Sequence, residues 1–173
     1  MPDLANIPSG SSVFVDTNIF VYHFTGRSPS CTAFFRRIAA EDIKAYVNTE
    51  VLSDLLHRLM LAEAHHLRLI RRANPSDMKT CLQFDRTAIQ RLPHHQEMLE
   101  SVWNMGTKIL NVTKTLLVKS KRERYTHGLM TNDSLHLGSM VYHRNPIANI
   151  ATNDKDFTHI PGIIVWEPAD VIY

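Results

Sequence analysis

Four stretches of the sequence place an acidic side chain directly after a hydrophobic run or at the beginning of a helical pattern. Asp16, Glu50 and Asp154 each follow a short run of β-branched and other apolar residues, and Asp133 opens a helical pattern. Oxygen ligands without thiolates suit Mg²⁺ or Mn²⁺, which keep several waters and pair with substrate phosphates. These residues could therefore form a divalent cation site that serves a phosphate-bearing substrate.

Taken singly, each acid has a simpler structural interpretation. An Asp before a helix is an N-cap, and a Glu in a first helical turn complements the helix dipole, roles worth about 0.5–2 kcal/mol each. Taken together, four carboxylates on one edge of a sheet would repel one another and raise one another's pKa unless a cation neutralised them. The elements that position these acids decide between the two interpretations.

The hydrophobic pattern predicts strands that alternate with helices. Predicted strands cover residues 12–15, 45–49, 109–112, 147–151 and 163–166. Predicted helices follow residue 16, run from residue 51 to a break at residues 74 and 75, and cover residues 76–92, 94–105, 114–124 and 133–143. The alternation predicts an α/β fold with a central, mostly parallel sheet flanked by helices on both faces.

The carboxyl ends of parallel strands lie along one edge of an open sheet, and ligands bind in the crevice beside that edge. Asp16, Glu50 and Asp154 follow three predicted strands, so we expect them to converge there. Asp133 would join them if the helix that it opens begins at the same edge. The fold therefore favours the joint interpretation as a cation site.

The composition is that of a globular protein. The chain has 173 residues, of which 44% are hydrophobic and 21% charged, which excludes a disordered or collagen-like chain and fits one domain over residues 1–173. No apolar run approaches the ~20 residues of a membrane span, and the start lacks a secretory signal pattern. Cys31 and Cys81 are isolated, so we expect neither a disulfide framework nor a zinc module, and a reducing cytoplasm fits.

The acidic stretches resemble the four acidic blocks of PIN domains, and most closely those of the VapC-type toxins of prokaryotic toxin–antitoxin pairs. The matching blocks are residues 13–18, 49–56, 131–137 and 151–157, followed by residues 163–168 near the carboxyl end. The resemblance covers residues 12–60 and 109–168. It leaves residues 74–106 unmatched, as an extra helical segment within the PIN-like domain.

The resemblance implies an endoribonuclease, dependent on Mg²⁺ or Mn²⁺, that leaves 5′-phosphate and 3′-hydroxyl ends on RNA. Asn18 and Thr152 match polar positions that orient the acids. The resemblance further implies a cytoplasmic homodimer that a cognate antitoxin protein silences. The acids that match the catalytic and metal-binding set are Asp16, Glu50, Asp133 and Asp154, with Asp156 as a further metal ligand.

A basic stretch precedes the third acidic block. We expect four of its side chains to contact RNA phosphates, because an acidic site repels a polyanion and needs positive charge nearby; a solvated helix face is the alternative. The formal net charge of +2 and the pI of about 8.6 do not decide between these. The four side chains are Lys119, Lys121, Arg122 and Arg124.

The ten histidines and the apolar helices have weaker functional interpretations. Two pairs of adjacent histidines point to different helix faces, so neither forms an i, i+4 clamp, and His136 is interpreted as a packing residue outside the site. We expect Phe34, Phe35 and the helix of residues 52–69 to leave an apolar groove for an amphipathic antitoxin helix; burial in the core or in a homodimer face is the alternative.

Two other functions remain open at this point. The same fold could serve a nuclease of RNA maturation or quality control, or one acting on DNA flaps, without an antitoxin. A non-catalytic module that binds cations or proteins would hold a metal without cleaving phosphodiesters. A phosphatase of the haloacid-dehalogenase type is disfavoured, because its first strand would need a second Asp where this chain has Asn18.

Overall fold

A five-stranded parallel sheet forms the centre of the protein, whose computed structural model describes residues 1–172. The strand order is β3-β2-β1-β4-β5, and every neighbouring pair is parallel. The strands are β1 (Ser12–Val15), β2 (Lys44–Asn48), β3 (Lys108–Leu110), β4 (Asn149–Ala151) and β5 (Ile164–Trp166). The chain thus builds outward from β1 on one side, and then returns to add β4 and β5 on the other.

Eight α-helices connect the strands within the described residues. They are α1 (Thr17–Phe24), α2 (Pro29–Ala39), α3 (Thr49–His66), α4 (Pro75–Phe84), α5 (His95–Asn104), α6 (Lys114–Lys119), α7 (Lys121–His127) and α8 (Thr131–Val141). Short 3-10 helices cover Leu4–Asn6, Ala88–Arg91 and Lys155–Phe157. No helix among residues 1–172 is long and apolar enough to cross a membrane.

Burial along the strands shows that helices cover both faces of the sheet. Val13, Phe14 and Val15 are completely buried, as are Ile150 and Ala151. Because successive side chains of a strand point to opposite faces, consecutive buried residues require cover on each face. The predicted α/β fold is therefore confirmed.

Several predicted helix boundaries are wrong, and local contacts explain them. The helix after β2 ends at His66 rather than near residue 74, because Arg68 adopts a left-handed conformation (φ 57°). The helix predicted over residues 76–92 ends at Phe84, where Asp85 is extended and its Oδ1 accepts hydrogen bonds from the backbone N–H and hydroxyl of Thr87. This turn, typical of Asp, competes with a helix.

The basic stretch forms two short helices rather than one. Ser120 separates α6 from α7, and its Oγ donates a hydrogen bond to the carbonyl oxygen of Leu117 (2.9 Å). α2, for which the hydrophobic pattern predicts no bounds, begins at a Ser28 N-cap and Pro29. Both Ser120 and Ser28 direct the backbone through hydrogen bonds that hydrophobic periodicity does not reveal.

The 74–106 segment packs against the carboxyl-terminal half of α3. A small apolar cluster, separate from the main core, holds α4 and the following 3-10 turn there; its buried members are Leu61, Ala64, Ile70, Met78 and Leu92. In contrast, Leu99 and Val102 of α5 belong to the main core. The segment is thus packed against both the small cluster and the main core.

Candidate active site

Asp16 is held in place at the point where β1 becomes α1. It is the N-cap of α1: its Oδ1 accepts a hydrogen bond from the backbone N–H of Thr17 (2.6 Å). Its Oδ2 accepts from Asn18 Nδ2 (2.8 Å) and from the hydroxyl of Thr152 (2.6 Å). Asp16 is therefore both a helix cap and a carboxylate with a fixed orientation, so the two interpretations of its sequence position are compatible.

Thr152 joins the ends of β1 and β4. Its hydroxyl donates to Asp16 and accepts from the backbone N–H of Asp154 (2.9 Å), and its side chain is completely buried. Asn18 Nδ2 also lies 3.3 Å from this hydroxyl, and Asn18 Oδ1 accepts from the backbone N–H of Asn153. Asn18 and Thr152 thus both bond the Asp16 carboxylate, and Thr152 also bonds the backbone of Asp154.

Asp133 lies near the acids that follow β1 and β4. Burial is the main cause of its raised pKa, the nearby His136 opposes the shift, and the negative charges of Asp154, Asp16 and Asp156 raise the pKa further. Burial also raises the pKa of Asp16, and Asp154 adds to that effect against the hydrogen bonds from Thr152 and Thr17. The structure therefore brings Asp16, Asp133, Asp154 and Asp156 to one edge of the sheet, where their charges repel.

Glu50 approaches this edge from the first turn of α3. The helix begins there because Asn48 Oδ1 accepts a hydrogen bond from the backbone N–H of Val51 (3.0 Å). The Asn48 amide also donates to His136 Nδ1 (3.1 Å) and to the hydroxyl of Ser139 (3.0 Å) in α8. A buried amide thus fixes α3 against α8, the helices that carry Glu50 and Asp133.

His136 lies beneath the acids, although the sequence analysis left it out of the site. Burial lowers its pKa to about 4, against the attraction of Asp133, Asp54 and Glu50. The imidazole is therefore neutral at pH 7, with Nδ1 accepting from Asn48 and its ring packed beside Phe14 (centroids 5.5 Å apart). The packing role is confirmed, but its position makes His136 part of the floor of the acidic site.

Asp54 and Arg58 are the other residues near the site that the sequence analysis did not include. Arg58 Nε donates to Asp54 Oδ2 (2.8 Å), and the positive charge of Arg58 favours the ionised form of Asp16. Glu50, Asp54 and Arg58 follow one another at intervals of four residues in α3, so they share a helix face. That spacing was the available signal.

The donor set fits a hard divalent cation, although the acids do not form a closed cage. Among the described residues 1–172, no three acidic, histidine or cysteine side chains are grouped closely enough to hold a metal ion between them. Mg²⁺ usually binds through one or two carboxylates, several waters and the substrate's phosphates. Burial is the main cause of the raised pKa of Asp16 and Asp133, and the repulsion from neighbouring acids, which adds to it, is what a cation would relieve.

The four residues predicted to contact RNA differ in their exposure and in their contacts within the protein. Lys119, Lys121 and Arg122 are exposed; the Nζ atoms of the two lysines lie over the rings of Tyr142 and Tyr125. Arg124 is half-buried, and its Nη1 donates to the hydroxyls of Ser120 (2.8 Å) and Ser134 (3.2 Å). Arg124 therefore has an internal role, connecting α7 to the first turn of α8.

The predicted apolar groove at Phe34 and Phe35 is wrong. Both rings are 2% exposed and belong to the main core, and Phe35 packs against Phe20 (centroids 4.8 Å apart). On α3, Leu55 and Leu59 are buried and Leu52 and Leu56 are partly buried against the same core. The alternative of core packing is therefore correct for the two phenylalanines.

The fold and the acidic edge define an α/β domain with acidic side chains gathered at the switch point of its sheet. A family model for the PIN domain matches residues 13–163, and the chain belongs to this family of nucleases, which generally use divalent metals. A comparison with curated proteins gives no significant match.

Two solved structures have a similar fold. One is VapBC2 from Rickettsia felis bound to a DNA fragment from its promoter, with 16% identity, a TM-score of 0.55, and coverage of 91% of this chain and 98% of that one. The other is a toxin–antitoxin complex from Klebsiella pneumoniae, with 18% identity, a TM-score of 0.54, and coverage of 89% and 96%. At such low identity, the likeness shows the fold alone.

Proposed function

We propose that the protein is a metal-dependent endoribonuclease and the toxin of a type II toxin–antitoxin pair. The observation that carries the enzymatic part is the convergence of Asp16, Asp133 and Asp154 at one sheet edge, where burial and mutual repulsion raise the pKa of Asp16 and Asp133. The partner is proposed from the solved structures of similar fold, which are toxin–antitoxin complexes. RNA as substrate and Mg²⁺ or Mn²⁺ as the ion follow from the resemblance of the acidic blocks.

Asp16, Glu50, Asp133 and Asp154 would hold the ion, with Asp156 at the exposed rim. A bound divalent ion would lower the pKa of the attacking water and stabilise negative charge on the phosphate. Thr152 and Asn18 keep the Asp16 carboxylate in one orientation, through bonds of 2.6 Å and 2.8 Å to the same oxygen. The neutral imidazole of His136 adds no charge beneath the acids.

RNA cleavage by carboxylate-to-amide variants tests the catalytic assignment. Asp16→Asn, Glu50→Gln, Asp133→Asn and Asp154→Asn should each lower cleavage in Mg²⁺ or Mn²⁺ by at least ~100-fold, while circular dichroism shows a retained fold. Asp42→Asn, far from the site beside Arg37, is the matched control and should cleave normally. Near-native cleavage by two or more of the site variants would contradict the assignment.

Two further readouts test the substrate and the partner. Mapping of new 5′-phosphate ends in cellular RNA, after expression of the native chain and of Asp16→Asn, should show ends that only the native chain produces. Co-expression with a small adjacent open reading frame should yield an inactive, co-purifying complex. Cleavage without any such partner would instead favour a nuclease of RNA maturation or quality control.

A further inference from the structure

A surface pocket lies beyond the carboxyl end of α3, far from the acidic edge. We call it the distal pocket; it has a volume of ≈ 410 Å³ and is lined by residues 69–72, Asp77, Thr80, Cys81, Phe84 and Asp85. α3 contains 18 residues, so at 1.5 Å per residue the pocket is on the order of 25 Å from Glu50. None of its lining residues belongs to the four acidic blocks.

The chain segment that carries the distal pocket is basic, although the pocket lining itself contains two arginines and two aspartates. Residues 67–92 contain six basic and two acidic side chains, so this segment has more net positive charge than the whole chain. Arg72 Nη2 pairs with Asp77 Oδ1 (2.9 Å), and Arg91 pairs with Asp85. Arg71 lines the pocket, is exposed, and has no ion-pair partner among residues 1–172.

An aromatic ring stands beside these arginines in solvent. Phe84, the last residue of α4, is 88% exposed, the largest exposed fraction among the large hydrophobic side chains of the described chain. Leu69 and Cys81, which also line the pocket, pack against the small apolar cluster under α4. The ring is therefore carried by a packed element, with its surface available to a ligand.

Arginines next to an exposed aromatic ring match the requirements of single-stranded nucleic acid. Bases stack on aromatic rings in a way that tolerates any sequence, and guanidinium groups pair with backbone phosphates. An acidic peptide would satisfy the charge but leave the ring without a stacking partner. The combination therefore favours a polyanion that also carries flat, apolar faces.

We propose that the distal pocket binds a single-stranded part of the RNA substrate, with a base stacked on Phe84 and a phosphate at Arg71. The inference rests on the proposed ribonuclease function and extends it to a second contact, remote from the cleaved bond. An RNA that reaches both places must span on the order of 25 Å. Short RNAs would then be bound at the acidic edge alone.

The test measures RNA affinity in the inactive Asp16→Asn background, so that binding is read separately from cleavage. Phe84→Ala should weaken binding of a long single-stranded RNA by roughly five- to a hundredfold, the usual range for one stacked base. Phe84→Leu keeps an apolar side chain and should lose as much, whereas Phe84→Trp should retain affinity. Arg71→Gln should reduce the salt-dependence slope by about 0.7 for one phosphate.

Matched controls and a direct readout complete the experiment. Ile164→Ala and Arg144→Gln change exposed side chains elsewhere on the surface and should not alter affinity. RNA should quench the additional fluorescence of the Phe84→Trp variant, and an RNA too short to span the distance should not. Thermal unfolding should be unchanged, since Phe84 is almost fully exposed.

Three outcomes would overturn the proposal. In the first, Phe84→Ala and Arg71→Gln leave RNA affinity unchanged. In the second, these variants weaken the binding of short and long RNA equally. In the third, they lose a co-purifying protein partner but keep their RNA affinity. The last outcome would assign the distal pocket to a protein. If instead no carboxylate variant affects cleavage by the native chain, the proposed function fails, and the affinity data still report on the pocket.

Discussion

The side chain of Thr152 holds the Asp16 carboxylate and the backbone of Asp154. Its hydroxyl donates to Asp16 and accepts from the backbone N–H of Asp154, and no water reaches it. Removing this hydroxyl would leave a buried carboxylate oxygen with one fewer donor. Mutating residues that orient metal ligands in this way typically lowers metal affinity or activity by about 10–100-fold.

Thr152→Val should therefore lower cleavage by about 10–100-fold and reduce the free energy of unfolding by about 1–3 kcal/mol. The change nearly conserves volume, so both effects report on the hydroxyl. Thr158→Val is the control, because that exposed hydroxyl bonds only the carbonyl oxygen of Lys155 within the described chain. RNA cleavage assays and urea unfolding measure the two effects; equal results for both variants would remove Thr152 from the site.

The ionised carboxylate of Asp133 should lower the thermal stability of the protein when no metal is bound. Its pKa is raised by burial, against the pull of His136, and by the charges of Asp154, Asp16 and Asp156, so its ionised form is disfavoured in the folded protein at neutral pH. Asp133→Asn should therefore raise the melting temperature of the metal-free protein, on the order of 2 °C. Added Mg²⁺ should then raise the melting temperature of the native chain more than that of the variant.

The control applies the same Asp-to-Asn change at Asp42, where the melting temperature should fall instead of rise. Hydrogen bonds from Ser9 and Arg37 hold the pKa of Asp42 below its usual range. Asp42→Asn should therefore lower the melting temperature, with or without Mg²⁺. Calorimetry of both variants measures this, and a fall for Asp133→Asn would show that its ionised form stabilises the fold.

The sequence predicted the acids better than it predicted their surroundings. Asp16, Asp133 and Asp154 are recognisable because each is adjacent to a predicted strand or opens a helix, which fixes its place at the sheet edge. The roles of His136 and Asn48 could not be predicted in this way, because the hydrogen bond between them depends on the packing of α3 against α8. The spacing of Arg58 from Glu50 places both on one face of α3, but the effect of Arg58 on Asp16 depends on their proximity in the folded protein.

At the scale of elements, Glu63 connects α3 to the beginning of α5. Its buried carboxylate accepts hydrogen bonds from the backbone N–H groups of His94 (2.8 Å) and His95 (2.9 Å), and from His95 Nδ1 (2.9 Å). Burial opposes the charge, but these bonds outweigh it and hold the pKa of Glu63 below its usual range. The carboxylate supplies the N-terminal acceptor that α5 lacks from its own N-cap side chain.

Glu63→Gln should reduce the free energy of unfolding by about 1–3 kcal/mol at pH 7, because an amide cannot accept all three bonds. A depressed pKa contributes stability that is present above the unfolded value, about 4.3, and is lost as pH falls through the folded value. The difference between native chain and variant should therefore shrink below about pH 4. Urea unfolding across this range, with exposed Glu100→Gln as control, measures it; a difference independent of pH would contradict the role of the charge.

The helices predicted over residues 76–92 and 114–124 were wrong in extent for the same reason. α4 and the break between α6 and α7 are set by side chains that bond the backbone, at Asp85 and Ser120. Apolar spacing continues past Asp85, at Ala88, Ile89 and Leu92, so periodicity alone extends the first of these helices. β1 was predicted most closely, because it is a short run of residues that are buried on both faces of the sheet.

At the scale of the whole molecule, the strand order decides where the site lies. β1 lies between β2 and β4, so the chain leaves the sheet in opposite directions on its two sides. The crevice at such a switch point opens beside the carboxyl ends of β1 and β4, where Asp16 and Thr152 meet. The sequence predicted a parallel sheet but gave no strand order, because pairing between distant strands is not written in local patterns.

Whole-molecule charge leads to the last prediction, on the basic residues of α6 and α7. Lys119, Lys121 and Arg122 are exposed, whereas Arg124 bonds Ser120 and Ser134 inside the fold. If the three exposed side chains neutralise about three phosphates, changing them to Gln should flatten the salt dependence of RNA affinity by about 2 log units per log unit of salt. Cleavage at saturating RNA should fall much less than affinity, because these residues hold the backbone.

Arg124→Gln should behave differently, lowering thermal stability with little change in the salt slope. Affinity measured at several salt concentrations in the Asp16→Asn background separates the two effects. Lys44→Gln, Arg36→Gln and Arg144→Gln together form a control of equal charge; Lys44 and Arg144 lie near the amino-terminal ends of β2 and β4, at the sheet edge opposite the acids. Equal salt-dependence slopes for the two triple variants would show that the basic residues of α6 and α7 form only a solvated face. RNA bound at the acidic edge would then make no phosphate contacts with them.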